Sequence, residues 1–148
     1  MGKNRGFTLI ELMVTIVIIT IVAIMAAPSF SKIINRKQLG DDAQDLVNKL
    51  AELRSDAILR QNDKSLSLDP STSGAWKPKG KVKWGTGQPA ATTLTYNMMG
   101  RLSLTNNLCF ILTHDSDATL KAIILVRKNG MAIYDKSLNA CPSNLGNE

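Results

Sequence analysis

"RGFTLIELMVTIVIITIVAIMAAPSF", residues 5–30, decides how the rest of the chain is read. From Phe7 to Ala27 the run is apolar apart from three threonines and Glu11. As an α-helix, 21 residues rise about 30 Å, the thickness of one hydrocarbon core. A single charge in so long an apolar run favours a membrane helix over a buried core helix. That charge is the anomaly. A carboxylate in hydrocarbon costs about 3 kcal/mol or more at the helix centre, so Glu11 near the start of the run calls for a partner.

The flanks sharpen the question. MGKNRG precedes the run as a short basic leader carrying Lys3 and Arg5. A secretory signal peptide would have a shorter apolar core with a small-residue cleavage site after it, and this pattern lacks both features. Lys32, Arg36 and Lys37 lie beyond the run, so the positive-inside rule is nearly balanced and does not set orientation. Pro28 removes one helix hydrogen bond and is expected to bend or loosen the helix nearby. Thr15 and Thr20 are expected to bond back to helix carbonyls.

Beyond Pro28, Leu39, Ala43, Leu46, Leu50, Leu53 and Ala57 recur at helical spacing, with Val47 and Ile58 widening the stripe. The spacing predicts one long helix, apolar all round at first and amphipathic later, with Gly40 as a weak point. From Lys64 the period changes. KSLSLD alternates, DPSTSGAWKPKG reads as loop, and TTLTYNMMGRLSL reads as a strand broken near Gly100. NLCFILTHD and TLKAIILVR are strand candidates, and Asn129-Gly130 predicts a type I′ hairpin turn. The fold class expected is therefore α+β: a long N-terminal helix, membrane half plus amphipathic half, packed on a C-terminal antiparallel β-sheet domain. The 148 residues are expected to divide as a leader at 1–6, a transmembrane helix at 7–28, an amphipathic helix at 29–62 and a β-rich soluble domain at 63–148.

Catalysis is not expected. His114 is the sole histidine, which rules out a histidine-rich metal site, and no Gly-rich phosphate loop is present. Asp115 and Asp117 lack the remainder of a calcium loop and read as a solvated turn. No cofactor or metal is expected. The charge of +6 permits contact with nucleic acid without requiring it. WKPKGKVKW places Lys77, Lys79, Lys81 and Lys83 at every second position, so an extended chain would project them to one side, opposite Trp76, Val82 and Trp84. Lysines and tryptophans that both reach a ligand would suit a single strand. Their alternation separates them, which favours an edge strand or loop with a wet lysine face and the tryptophans packed inward. Cys109 and Cys141 show no metal-type spacing; they are two buried thiols or, in an oxidising compartment, a disulfide.

Gly6-Phe7-Thr8-Leu9-Ile10-Glu11, with its basic leader, apolar helix and Pro28, resembles the processing motif of type IV pilins and type II secretion pseudopilins. The resemblance implies cleavage between Gly6 and Phe7 by a prepilin peptidase and N-methylation of Phe7. It also implies a single-pass inner-membrane subunit whose soluble domain lies in the periplasm before entering an extracellular filament. Cleavage takes the side-chain charge from +6 to +4 by removing Lys3 and Arg5. It also creates an amine at Phe7, four residues before Glu11, and residues four apart share a helix face. In that family the acid is thought to meet the amine of a neighbouring subunit, so Phe7, Glu11 and Pro28 are assembly residues. In the periplasm the Cys109–Cys141 disulfide is the expected state.

The β-rich half, with Tyr96 to Arg101 and the hairpin at Gly130, resembles minor pilins and pseudopilins of the GspH/FimT/FimU kind. This resemblance implies a minor type IV pilin that takes part in priming or assembling the pilus, at or near its tip. Its partners would be other minor pilins, the major pilin, the prepilin peptidase and the inner membrane. The alternatives are a minor pseudopilin of a type II secretion system and a DNA-binding competence pilin of the FimT kind. DNA-binding members carry arginines after the hairpin glycine, whereas Gly130 precedes Met131-Ala132-Ile133 here, so nucleic acid is the less favoured partner.

Overall fold

The computed structural model describes residues 7–145, except for the side chains of residues 26–28. The elements run α1 (Leu9–Arg60), β1 (Lys64–Ser67), β2 (Val82–Trp84), β3 (Thr93–Tyr96), β4 (Leu108–His114), β5 (Asp117–Val126) and β6 (Ala132–Asp135). They fall into two compact units that divide between Ile34 and Asn35.

In the first unit, α1 opens at a threonine N-cap. The backbone N–H of Glu11 donates to Thr8 Oγ1 (3.3 Å), placing Thr8 at the N-cap and Glu11 three residues on. The Thr15 hydroxyl donates to the Leu12 carbonyl and that of Thr20 to the Ile16 carbonyl, both at 2.8 Å. Every large apolar side chain from Phe7 to Met25 is more than half exposed, so nothing among the described residues covers this stretch. Among the described residues no single helix is long and apolar enough to cross a membrane. Leu9–Met25 and Ser29–Arg60 meet that test only as a pair.

In the second unit, α1 presents one face to the core. Leu39, Ala43, Leu46, Leu50 and Ala57 are buried, at the spacing the sequence predicts, with Val47 and Leu53 packed at the margin. Ile58 lies on the exposed side instead. Gly40 does not interrupt the helix; a Cβ there would stand 3.5 Å from the Tyr134 hydroxyl, ordinary contact. The helix ends in a Schellman motif, with Asn62 N–H donating to the Ala57 carbonyl and Gln61 N–H to the Ile58 carbonyl. Gln61 occupies the left-handed position, at φ 50°.

Two antiparallel sheets receive that face. One pairs β1 with β3; the other has the order β2-β4-β5-β6. The long β4–β5 hairpin aligns Cys109 with Leu125 and Leu112 with Ala122, with a bulge between Thr113 and His114. Phe110, Leu112, Ile124 and Val126 project from it into the core beside Leu94 and Tyr96. His114 is buried and hydrogen-bonds through Nε2 to Gln38 Oε1 (2.9 Å), tying β4 to α1. Cys109 and Cys141 form a disulfide, Cα to Cα 5.9 Å, which pins the C-terminal segment to β4.

The β5–β6 hairpin departs from the expected type I′ turn. Gly130 N–H donates to the Arg127 carbonyl, Arg127 N–H donates to the Met131 carbonyl, and only Gly130 has a positive φ (91°). These bonds define a type I turn closed by a glycine bulge, the usual three-residue solution. The turn is stabilised by Asn129 Oδ1, which accepts from Met131 N–H at 3.0 Å.

Candidate assembly sites

The N-terminal candidates lie in the first unit. Gly6 falls outside the described residues. Phe7 precedes the helix and is 81% exposed. Glu11 sits exposed in the first turn of α1, where the unpaired N–H groups of a helix start favour a negative charge. Pro28 lies within α1, with its side chain outside the described residues. Thr8 has a role beyond the processing motif, as the N-cap of α1; the signal that could have found it is a threonine three residues before Glu11 at the start of the apolar run. The cap anchors the Glu11 backbone and leaves its side chain exposed.

The four lysines do not form one row. The backbone from Lys77 to Lys81 is loop, Gly80 turns it at φ 60°, and only Val82–Trp84 is strand. Lys79 folds back onto α1: its N–H donates to Asp42 Oδ2 (2.6 Å) and its ammonium stands 3.3 Å from Asp45 Oδ2. Lys83 pairs with Asp115 at 2.8 Å, while Lys77 and Lys81 are exposed. The tryptophans turn inward. Trp76 is buried, donates its indole N–H to Asp45 Oδ2 (2.7 Å), and meets Trp84 edge-on with centroids 5.5 Å apart. The Trp76 bond, aided by Lys79, holds the Asp45 carboxyl below its usual range, whereas burial pushes that of Asp42 up despite the bond from Lys79. This cluster fastens the loop to the helix. Asp117 caps its own turn, accepting from the Thr119 N–H at 3.0 Å. Among the described residues no three His, Cys, Asp or Glu side chains gather as a metal site.

A second convergence was not predicted. Two turns whose glycines, Gly100 and Gly130, are 30 residues apart in sequence meet over the end of α1. The buried Tyr96 hydroxyl donates to the Gly130 carbonyl (3.1 Å), and Leu102 N–H donates to the Lys128 carbonyl (3.1 Å). Gly100 and Gly130 approach so closely that a side chain on Gly130 would collide with the Gly100 carbonyl. Arg54 Nε lies beneath both. Only the fold brings these residues together, so no local sequence pattern announces them.

A helix exposed on all its apolar faces, opened by Glu11 and continued into a helix-on-sheet domain, defines a type IV pilin-like architecture. The comparisons agree at both ends of the chain. A family model described as the prokaryotic N-terminal methylation motif matches residues 1–27. The fold is similar to the type IV minor pilin FimU of Pseudomonas aeruginosa in two crystal forms. In space group P21 the TM-score is 0.57 at 16% identity, covering 75% of this chain and 97% of that one. In P65 it is 0.54 at 16% identity, covering 73% and 100% respectively. No curated protein matches the chain in sequence. The chain is type IV pilin-like in its N-terminal motif and in its fold.

Proposed function

We propose that this chain is a minor type IV pilin that helps to prime and assemble the filament, at or near its tip, in contact with other minor pilins and the major pilin. The observation that carries the reading is the uncovered apolar stretch from Phe7 to Met25, with a carboxylate in the first turn of its helix. An apolar surface this extensive needs hydrocarbon or other helices around it. Prepilin peptidase cuts after Gly6, Phe7 is methylated, and the new amine meets the Glu11 carboxylate of an adjacent subunit. An ion pair is the form in which a charge is tolerated in such surroundings. The precursor is anchored in the inner membrane with its disulfide-bonded domain in the periplasm.

The processing step is tested by mass spectrometry of the mature chain. Loss of residues 1–6 and gain of one methyl group at Phe7 is expected; a retained leader overturns it. The assembly step is tested with Glu11→Ala, expected to be processed normally but to enter filaments at least tenfold less well. Equal incorporation overturns the role of Glu11. Counting surface pili after deletion of the chain separates a pilus subunit from a secretion pseudopilin. Binding of DNA receives little support from the geometry, since Lys79 and Lys83 are held by Asp45 and Asp115.

A further inference from the structure

Between α1 and the β5–β6 hairpin lies an open groove of about 740 Å³. Its walls are basic: Arg36 and Lys37 stand on α1, Lys121 on β5 and Lys136 just past the end of β6, against one lining acid, Asp41. Lys37 and Asp41 form an exposed pair at 3.2 Å. Arg36, Lys121 and Lys136 pair with no acid among the described residues. Lys136 stands instead over the Tyr134 ring, 5.8 Å from its centroid, and the Tyr134 hydroxyl lies against α1 at Gly40. Four cations against one acid leave the groove strongly positive, and a cleft lined by one sign of charge concentrates the opposite ion.

The stretch of chain that leads into the groove points to the anion. Phe30, Ile33 and Ile34, three and four residues apart on α1, are exposed and carry apolar surface to within two residues of Arg36. Lys32 is interleaved with them. Exposed apolar side chains interleaved with cations are the pattern of a helix at a membrane surface, where the former enter the acyl boundary and the latter meet phosphates. A nucleic acid makes no use of such an approach, and its bases would need open aromatic faces. Trp76 is buried and Tyr134 is half-buried beneath Lys136. A carboxylate offers two oxygens in one plane. The cations here come from α1, β5 and the end of β6, and a phosphate presents oxygens in several directions to meet them.

We propose that this groove, through Arg36, Lys121, Lys136 and Tyr134, binds the phosphate of an anionic phospholipid in the leaflet from which the soluble domain emerges. The inference rests on the membrane-anchored precursor of the pilin reading and adds to it a lipid contact, one that the subunit gives up on leaving the bilayer for a filament. The Arg36 guanidinium supplies a fork of donors, the two ammonium groups act as point charges, and the Tyr134 hydroxyl donates a hydrogen bond.

The test places the full-length chain in nanodiscs holding equal amounts of phosphatidylglycerol and phosphatidylcholine, and reads the lipids retained on release by native mass spectrometry. Phosphatidylglycerol is expected to be retained about tenfold over phosphatidylcholine. Lys121→Gln combined with Lys136→Gln is expected to bring that preference to about twofold or less, because each cation near anionic lipid is worth about fivefold. Lys77→Gln combined with Lys81→Gln removes the same charge from exposed loop positions and is expected to leave the preference unchanged. The Cys109–Cys141 disulfide should persist in every variant. Equal loss in both pairs, or no loss in the first, means diffuse charge attraction and overturns the groove. Displacement of the lipid by millimolar inorganic phosphate or by a single-stranded oligonucleotide overturns it as well. A chain that enters the nanodisc without any lipid preference overturns the groove and leaves the anchored precursor standing. A chain that fails to enter the nanodisc overturns both.

Discussion

The Tyr96 hydroxyl donates to the Gly130 carbonyl across 34 residues of chain, joining the smaller sheet to the turn between β5 and β6. The ring is fully buried, and burial pushes the phenol up to about 12. A phenol with a raised folded value stabilises the fold at neutral pH. That contribution is lost as pH climbs from the unfolded value of about 10 through the folded one. Tyr96→Phe is expected to lose about 1–2 kcal/mol at pH 7, because the Gly130 carbonyl is left without its donor. The gap to wild type should narrow above pH 10. Urea unfolding at pH 7 and pH 11 measures both.

Gly130 and Gly40 are glycines for different reasons. At Gly130 the backbone is left-handed and a side chain strikes the Gly100 carbonyl, so Gly130→Ala is expected to cost at least about 1–3 kcal/mol. At Gly40 the backbone is helical and a methyl would only touch Tyr134. Gly40→Ala should therefore stabilise by about 0.4–1 kcal/mol through helix propensity and a stiffer unfolded chain. Thermal melts of the two variants should move in opposite directions.

The extent of foreknowledge depends on the range of the interactions. The back-bonding of Thr15 and Thr20, the core stripe from Leu39 to Ala57 and the strands of the β4–β5 hairpin are local patterns, and each is visible in a short window of sequence. The loop, the exposed lysines and the inward Trp76 follow the local pattern, but the lysines form no single row because Gly80 turns the chain and because Asp42 and Asp45, distant in sequence, capture Lys79. The His114–Gln38 bond spans 76 residues, and the meeting of Gly100, Gly130 and Arg54 depends on which strands pair. Such sites exist only after the topology is fixed.

Asp42 and Asp45, three residues apart, should respond oppositely to neutralisation. The Asp45 carboxyl is held low by Trp76 and Lys79, so its stabilisation is present above the unfolded value of 3.8 and is lost as pH falls through the lower folded one. The Asp42 carboxyl is held high by burial, so its charged form costs stability as pH rises through the raised value. Asp45→Asn is expected to destabilise at pH 7, by less than about 1 kcal/mol because the group is partly exposed, with the loss vanishing in acid. Asp42→Asn, which keeps an acceptor for the Lys79 N–H, should match or exceed wild type. Trp76 emission against pH reports the Asp45 contact directly.

The disulfide is expected to dominate the stability of the C-terminal segment. Joining Cys109 to Cys141 closes 32 residues of separation, worth about 3–4 kcal/mol in the chain-entropy treatment. The paired change Cys109→Ser with Cys141→Ser should lower the unfolding midpoint accordingly. The Leu145 carbonyl, which accepts from the Asn107 amide at 3.0 Å, should lose its order first, since the bridge holds that segment against β4. Hydrogen exchange at residues 141–145 should rise before exchange in β4 and β5 does.

Gln61 offers a gain rather than a loss. The Schellman bonds from Asn62 to Ala57 and from Gln61 to Ile58 require a left-handed residue at position 61, and a side chain there carries a steric penalty of about 1 kcal/mol. Glycine escapes that penalty but gives up entropy in the unfolded chain, so the two effects oppose each other. The steric relief is the larger where φ is fixed at 50° by both hydrogen bonds. Gln61→Gly is therefore expected to stabilise the fold by about 0.5 kcal/mol, whereas Gln61→Val, β-branched and unable to adopt this conformation cheaply, should destabilise it by more than about 1 kcal/mol. Equilibrium unfolding of both variants measures the sign; a destabilised glycine variant would mean that the cap relaxes out of the left-handed conformation in solution.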